Sequence, residues 1–307
     1  MNATRSETTR PRIAALATLA ALAVAWGCNW AFMKIAFAEL PVWGLRTWSL
    51  LAAGLIILAI ARMRDSRIMP RDAGEWRFLA IAAFFNVTIW QITVAYGVQI
   101  LGSGHAAVLA FTMPLWSGLI AFVFLREQLS LRFTVALAMG MAGVILLSLR
   151  GGGFARADLP GIALMFAAAI GWAIGTLYSK TRKPSLPMLA TTAWQLLLGT
   201  VPIMLLWPMI EPIAWPHASA AAWLGAAYTT FVALVVGYIS WFRLVEILPA
   251  HVASLASLAA PMMAMLTGAM LLHEALGPRE IVALGLMLGA LALVLIIPAL
   301  ARARTDQ

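Results

Sequence analysis

Apolar residues fall into blocks of about twenty, separated by short polar stretches, from one end of the chain to the other. Ten such blocks can be marked, at residues 13–33, 43–61, 78–98, 104–125, 133–149, 160–179, 188–209, 220–242, 251–272 and 280–300. Twenty helical residues rise about 30 Å, the thickness of a bilayer's hydrocarbon core. The blocks lack the short period-two alternation of an outer-membrane barrel. The punctuation between them is made of turn formers, as in "RGGGFARADLPG" (150–161) and "KTRKPSLP" (180–187). The pattern predicts an all-α polytopic membrane protein of ten transmembrane helices, with no room for a soluble domain.

The blocks also repeat. Shifted by 146 or 147 positions, the chain matches itself in order. "AWGCNWAFMK" (25–34) falls on "GWAIGTLYSK" (171–180), which pairs Trp26 with Trp172 and Lys34 with Lys180. Trp48 falls on Trp194 and Trp76 on Trp223. "HAAVLAFTMP" (105–114) falls on "HVASLASLAAP" (251–261), Glu127 on Glu274, and "VALAMGMAG" (135–143) on "VALGLMLGA" (282–290). Two repeats result, 1–150 and 151–307. Each holds an odd number of spans, so the second enters the membrane upside down. Inverted-topology repeats of this kind form a site near the midplane that opens to either side in turn.

Composition agrees with the blocks. Residues of the AVILMFWYC set make up 63% of the 307, and charged residues 11%, far from a soluble domain's balance. A net charge of +9 invites a nucleic-acid partner, but the cations sit in short loops between apolar blocks. With both termini cytoplasmic, sixteen of the 21 basic residues lie inside; Lys34, Arg46, Arg150, Arg156 and Arg279 fall outside. That bias follows the positive-inside rule. Three early arginines before an apolar stretch imitate a signal peptide. Because the first span has a counterpart within the chain, it is expected to be retained. Cys28, the only cysteine, lies in an apolar run and is read as packing.

The duplicated features resemble those of the drug/metabolite transporter superfamily, EamA type. They are a first-span "W-G-x-N…K", the small residues around Tyr96 (Ala95 and Gly97), and "P…E-x-L" through Pro114 and Glu127–Gln128–Leu129, with Glu274–Ala275–Leu276 as the second copy. The resemblance covers about residues 14–300 and extends to YddG-type exporters of aromatic and other neutral amino acids. It implies a basket of helices around a central cavity formed by spans 1–4 and 6–9, with spans 5 and 10 peripheral, in an inner membrane. Asn29 departs from the symmetry, since its counterpart is Gly175.

Candidate functional residues follow from position within the spans. Trp26, Trp30 and Met33 share a helix face, with Asn29 adjacent. Asn86, Trp90, Gln91 and Tyr96 lie in span 3, and Trp116 follows Pro114. Trp172, Tyr178, Tyr238 and Trp241 are the second-half candidates, with Tyr228 beside them. Polar groups are costly against lipid and turn toward a bundle interior. An aromatic wall with few polar anchors suits a small-molecule site. Pro114 and Pro261 break the middle of spans 4 and 9, as hinges, gates or static kinks. His105 and His251 open those spans, as pH-sensitive groups or caps. Glu127 and Glu274 read as structural struts. The small residues Ala136, Gly140, Gly285 and Gly289 suit close helix contact, within the chain or in a dimer.

No acidic residue lies in the middle of any span, the usual relay of a strong proton antiporter. No catalytic motif, metal site or nucleotide loop is present, so neither an enzyme nor a cofactor is expected. The expected function is secondary export of small neutral metabolites, aromatic and apolar amino acids foremost, with weak proton coupling. A drug or lipophilic-cation exporter on the same fold and a non-transporting scaffold are the alternatives. The expected partners are a small-molecule substrate and the bilayer, without nucleic acid. Oligomeric state is left open.

Overall fold

In the computed structural model, the described backbone covers residues 3–64, 67–110, 131–148, 156–181, 185–212, 217–247 and 277–305, with isolated positions in 112–123 and 260–273. Side chains are described from Ala17 onward, with gaps. Pro114, Pro261, His251, Glu127 and Glu274 lie outside the described residues.

The helices in chain order are α1 (Ala3–Glu39), α2 (Val42–Met63), α3 (Ala73–Leu101), α4 (Ser103–Ala110), α5 (Leu131–Ser148), α6 (Leu159–Thr181), α7 (Met188–Ile210), α8 (Ala220–Ala227, continued to Ile247) and α9 (Pro278–Thr305). No strand occurs among the described residues. Six helices there are long and apolar enough to cross a membrane: α1, α2, α3, α6, α7 and α8. The chain is an all-helical, multi-pass membrane protein.

Two boundaries differ from the sequence pattern. α1 does not end near 33 but continues to Glu39, so half-buried Lys34 lies within the helix rather than at its exit. Leu40 and Pro41 then make a tight turn into α2, because the extended backbone of Pro41 sets the N-cap. Arg46, expected in an outside loop, is instead one turn inside α2 and only 1% exposed.

α2 packs along α7, α5 along α9, α1 against α8, and α3 against α6. α3 and α8 each widen into a π-helix mid-span, at Phe84–Ile89 and Tyr228–Val236. Shifted by 146 or 147, the first segment falls inside the second. Such bulges free backbone carbonyls from the regular ladder and cluster at functional sites. A carboxylate tie also recurs. Ser219 Oγ and N donate to Glu39 at 2.6 and 2.7 Å, joining the end of α1 to the start of α8. In the other half, Ser185 N donates to Glu75 at 2.9 Å, joining the segment after α6 to the start of α3. Ser185 is the repeat partner of Glu39, whereas Ser219 falls on Asp72 or Ala73 and not on Glu75, so the two ties resemble each other without being exact counterparts.

α5 meets α9 through its small residues. Gly143 lies against Ala283 and Met287, and Gly289 against Met139. Of the four small residues named from sequence, Gly289 takes part in this contact, Gly140 lies against Leu115, and a Cβ at Gly285 would meet nothing within 4 Å.

At the end of α7, Glu211 accepts from Val42 N and Trp43 N, at 3.0 and 2.9 Å. A carboxylate at a helix N-terminus satisfies orphan donors and complements the dipole. Glu211→Gln keeps the shape and removes the charge. It is expected to cost about 1 kcal/mol, read as a melting temperature lower by about 2 °C with transport unchanged.

Candidate functional site

Two cavities meet inside the bundle. The first leaves about 80 Å³ of accessible space and the second about 170 Å³, less than the usual ~300–1,000 Å³ of a small-molecule site, so a whole solute enters only when the walls part. Trp26, Trp172 and Tyr238 line both and form the partition. The first is completed by Asn29, Trp30, Met33, Arg46, Trp90 and Gln91, among others. The second is more polar, with Asn86, Thr176, Ser179, Thr192 and Gln195, and Trp241 at its wall. Among the described residues, neither cavity receives a side chain from α5 or α9.

Trp26 is fixed on three sides. Its indole Nε1 donates to Ala233 O at 3.1 Å, a carbonyl within the π segment of α8. Its ring stacks on Trp241 at 5.7 Å and meets Tyr238 edge-on at 6.0 Å. The close approach needs Gly237, because a Cβ there would press into the indole. Across the partition, Trp90 lies 4.8 Å from Trp172.

The asymmetry of Asn29 has a packing reason. Its counterpart Gly175 leaves room for Asn86, whose amide occupies the space a Cβ would fill. Asn86 itself corresponds to the Val232–Ala233 region opposite α1. Each helix pair therefore carries one asparagine, on α1 in one pair and on α3 in the other. Asn86 Nδ2 donates to Gln195 Oε1 at 3.3 Å. Asn29 Oδ1 and Asn86 Oδ1 are buried and accept no hydrogen bond among the described residues. Buried acceptors left unpaired cost free energy, which is recovered when the side chain turns its oxygen toward a donor.

Ten of the candidates named from sequence line one cavity or both: Trp26, Asn29, Trp30, Met33, Asn86, Trp90, Gln91, Trp172, Tyr238 and Trp241. Four do not. Tyr96 OH accepts from Trp43 Nε1 at 3.0 Å. Trp116 donates to Thr112 Oγ1 at 3.0 Å and packs edge-on against Phe166. Tyr178 stacks on Phe78 at 5.3 Å, near the end of α6. Tyr228 stacks on Phe32 at 4.0 Å and donates to Val24 O. His105 sits in the first turn of α4, with Nε2 3.5 Å from Glu280 Oε1 on α9, a contact between helix ends away from both cavities.

The lining residues missed from sequence include Thr176, Ser179, Thr192 and Gln195 in the second cavity and, in the first, the charged Arg46. Its Nε donates to Gln91 O at 3.1 Å, and Nη2 lies 3.0 Å from Met33 Sδ. The guanidinium also stands over the Phe37 ring at 4.9 Å. The signal available in the sequence was a cation only four residues into an apolar block.

An all-helical, multi-pass membrane bundle with an aromatic-lined internal cavity is the class that the structure defines. The chain belongs to the EamA-like transporter family, whose model matches it twice, at residues 13–149 and 159–296. It is similar to the uncharacterized transporter YvbV of Bacillus subtilis (strain 168), at 24% identity over 287 residues and 92% of each chain. It is also similar to the uncharacterized transporter YoaV of the same organism, at 25% identity over 272 residues, 87% of this chain and 89% of the relative. The uncharacterized inner membrane transporter YedA of Escherichia coli (strain K12) is 26% identical over 281 residues, covering 90% of this chain and 89% of the relative. One solved crystal structure shares the fold at a TM-score of 0.68, with 19% identity, 92% of this chain and 97% of that one. The protein is a membrane transporter, not an enzyme.

Proposed function

We propose that the chain is a secondary transporter of the inner membrane that exports small neutral metabolites, aromatic and apolar amino acids foremost. It works by alternating access between two inverted five-helix repeats, 1–150 and 151–307, with ten spans and both termini cytoplasmic. The direction of transport and the amino-acid class come from the resemblance to YddG-type exporters. The repeat is supported by the corresponding π segments, a Glu–Ser tie in each half and the paired packing of α1 on α8 and α3 on α6. The inside orientation is supported by loop charge, and more strongly now that Arg46 leaves the outside set.

One observation carries the substrate reading: a cavity walled by Trp26, Trp30, Trp90, Trp172 and Tyr238, without an acidic residue among the described lining. Aromatic faces accept apolar side chains and, by cation–π attraction, an ammonium group. Asn29 Oδ1, buried without a partner, supplies an acceptor for that ammonium once its side chain turns into the cavity. A lipophilic drug cation is less well served, because no carboxylate stands opposite it. Weak proton coupling follows from the same absence.

Proteoliposomes test this by counterflow. Vesicles loaded with unlabelled phenylalanine are expected to accumulate labelled phenylalanine transiently, well above protein-free vesicles. Excess tryptophan or leucine should compete and a quaternary ammonium drug should not. The assignment fails if no amino acid competes.

A further inference from the structure

We propose that Arg46 is the carboxylate-binding residue of the central cavity and that this contact makes the transporter selective for solutes bearing a free carboxylate. The proposal rests on the transport reading above and specifies what the site recognises. Arg46 is the only charged side chain among the described residues lining either cavity. It is 1% exposed, yet its contacts do not neutralise it. Nε–H is used by the Gln91 carbonyl, and one Nη2–H points at the sulfur of Met33. The Phe37 face adds a cation–π contact. No described carboxylate pairs with it.

A buried cation without an anion is costly and is held for a reason. A purely structural arginine that only satisfied the Gln91 carbonyl would leave most of its five donors idle. A thioether is a weak acceptor on a side chain with several rotatable bonds. Met33 is therefore a cover that a carboxylate displaces, since charge-assisted, two-point contact with a guanidinium is much the stronger interaction. With the carboxylate on Arg46, the rest of the solute faces Trp30, Trp90 and Asn29 in the same cavity. Asn29 Oδ1 needs only a hydrogen-bond donor, which a 2-hydroxyl supplies as well as an ammonium does. The carboxylate, and not the amino group, is then the obligatory feature.

The test is counterflow of labelled phenylalanine by the wild-type protein against four competitors: phenylalanine, its 2-hydroxy analogue phenyllactate, phenylalanine methyl ester and phenethylamine. The two free acids are expected to compete within about threefold of each other. The ester and the amine should be at least ~30-fold weaker, the scale of a lost charge-assisted contact. Arg46→Gln should bring the acid-to-ester ratio near one, and Arg46→Lys should retain a preference while weakening acid binding about tenfold. The wild-type comparison needs no variant and stands even where Arg46→Gln fails to fold. Quenching of tryptophan fluorescence by the same four compounds in detergent gives binding without transport. If phenylalanine counterflow occurs but the ester and amine compete as well as the acids, transport stands and the Arg46 assignment is overturned. If nothing is transported and nothing quenches, the transport reading falls and the assignment with it.

Discussion

Trp26→Ala is expected to reduce counterflow at least tenfold while the protein still inserts and folds. The indole belongs to both cavities and is the shared wall between them. Truncation merges the two spaces, removes stacking on Trp241 and the edge contact with Tyr238, and orphans the Ala233 carbonyl in the π segment. Removing a fully buried tryptophan costs ~3–5 kcal/mol. Trp26 is half-buried and lines open space, so ~2 kcal/mol is expected, below that range. The loss of transport should therefore exceed what the loss of stability explains. Trp26→Phe separates the two parts, since it keeps a ring on Trp241 but donates nothing to Ala233. Its melting temperature should stay near wild type while its transport falls to an intermediate rate. Transport by Trp26→Ala at the wild-type rate would remove the partition from the mechanism.

Gly175→Val should destabilise the α3–α6 pair. A Cβ at 175 would come within 2.6 Å of Asn86 Cγ and 3.0 Å of Phe85 Cβ. Overpacking of a tight interface costs about 1–3 kcal/mol. Inside a bilayer that packing is much of what holds helices together, because apolar burial gives no advantage over lipid. The cycle of Gly175→Ala, Asn86→Ala and the double variant isolates the contact. Asn86→Ala vacates the space, so the double variant should be more stable than the sum of the single changes predicts, by about 1 kcal/mol. Additive melting shifts would mean that Asn86 and Gly175 are not coupled.

The features legible in the sequence were those carried by period and rarity. Blocks of bilayer length mark the long helices, and scarce Trp, Asn and Gln residues within them mark the cavity wall. Trp26, Trp90 and Trp172 could be picked out because a tryptophan deep in a span has no interfacial role. Tyr96, Trp116 and Tyr178 look the same along the chain. They find neighbours in Trp43, Phe166 and Phe78 that only the folded arrangement brings near. Arg46 was misplaced for a different reason. A cation near a block's edge serves equally well as a loop charge, and the tight turn at Leu40–Pro41 decides that it lies inside. The π segments were not visible either. "FFNVTI" and "YTTFVALVV" are ordinary apolar sequence, and their widening depends on the helices packed around them. Gly175 was seen as a break in symmetry, but its cause lay in Asn86, 89 positions away.

Alternating access to one internal site is the central claim, and thiol labelling tests it directly. Thr176 lines the second cavity and is close in size to cysteine. In a Cys28→Ala background, Thr176→Cys would carry the chain's single thiol. It is treated with a membrane-impermeant thiol reagent in right-side-out and in inside-out vesicles. Labelling is expected from both sides, at different rates, and saturating phenylalanine should slow it from each. Labelling from one side only, with and without substrate, would contradict alternating access.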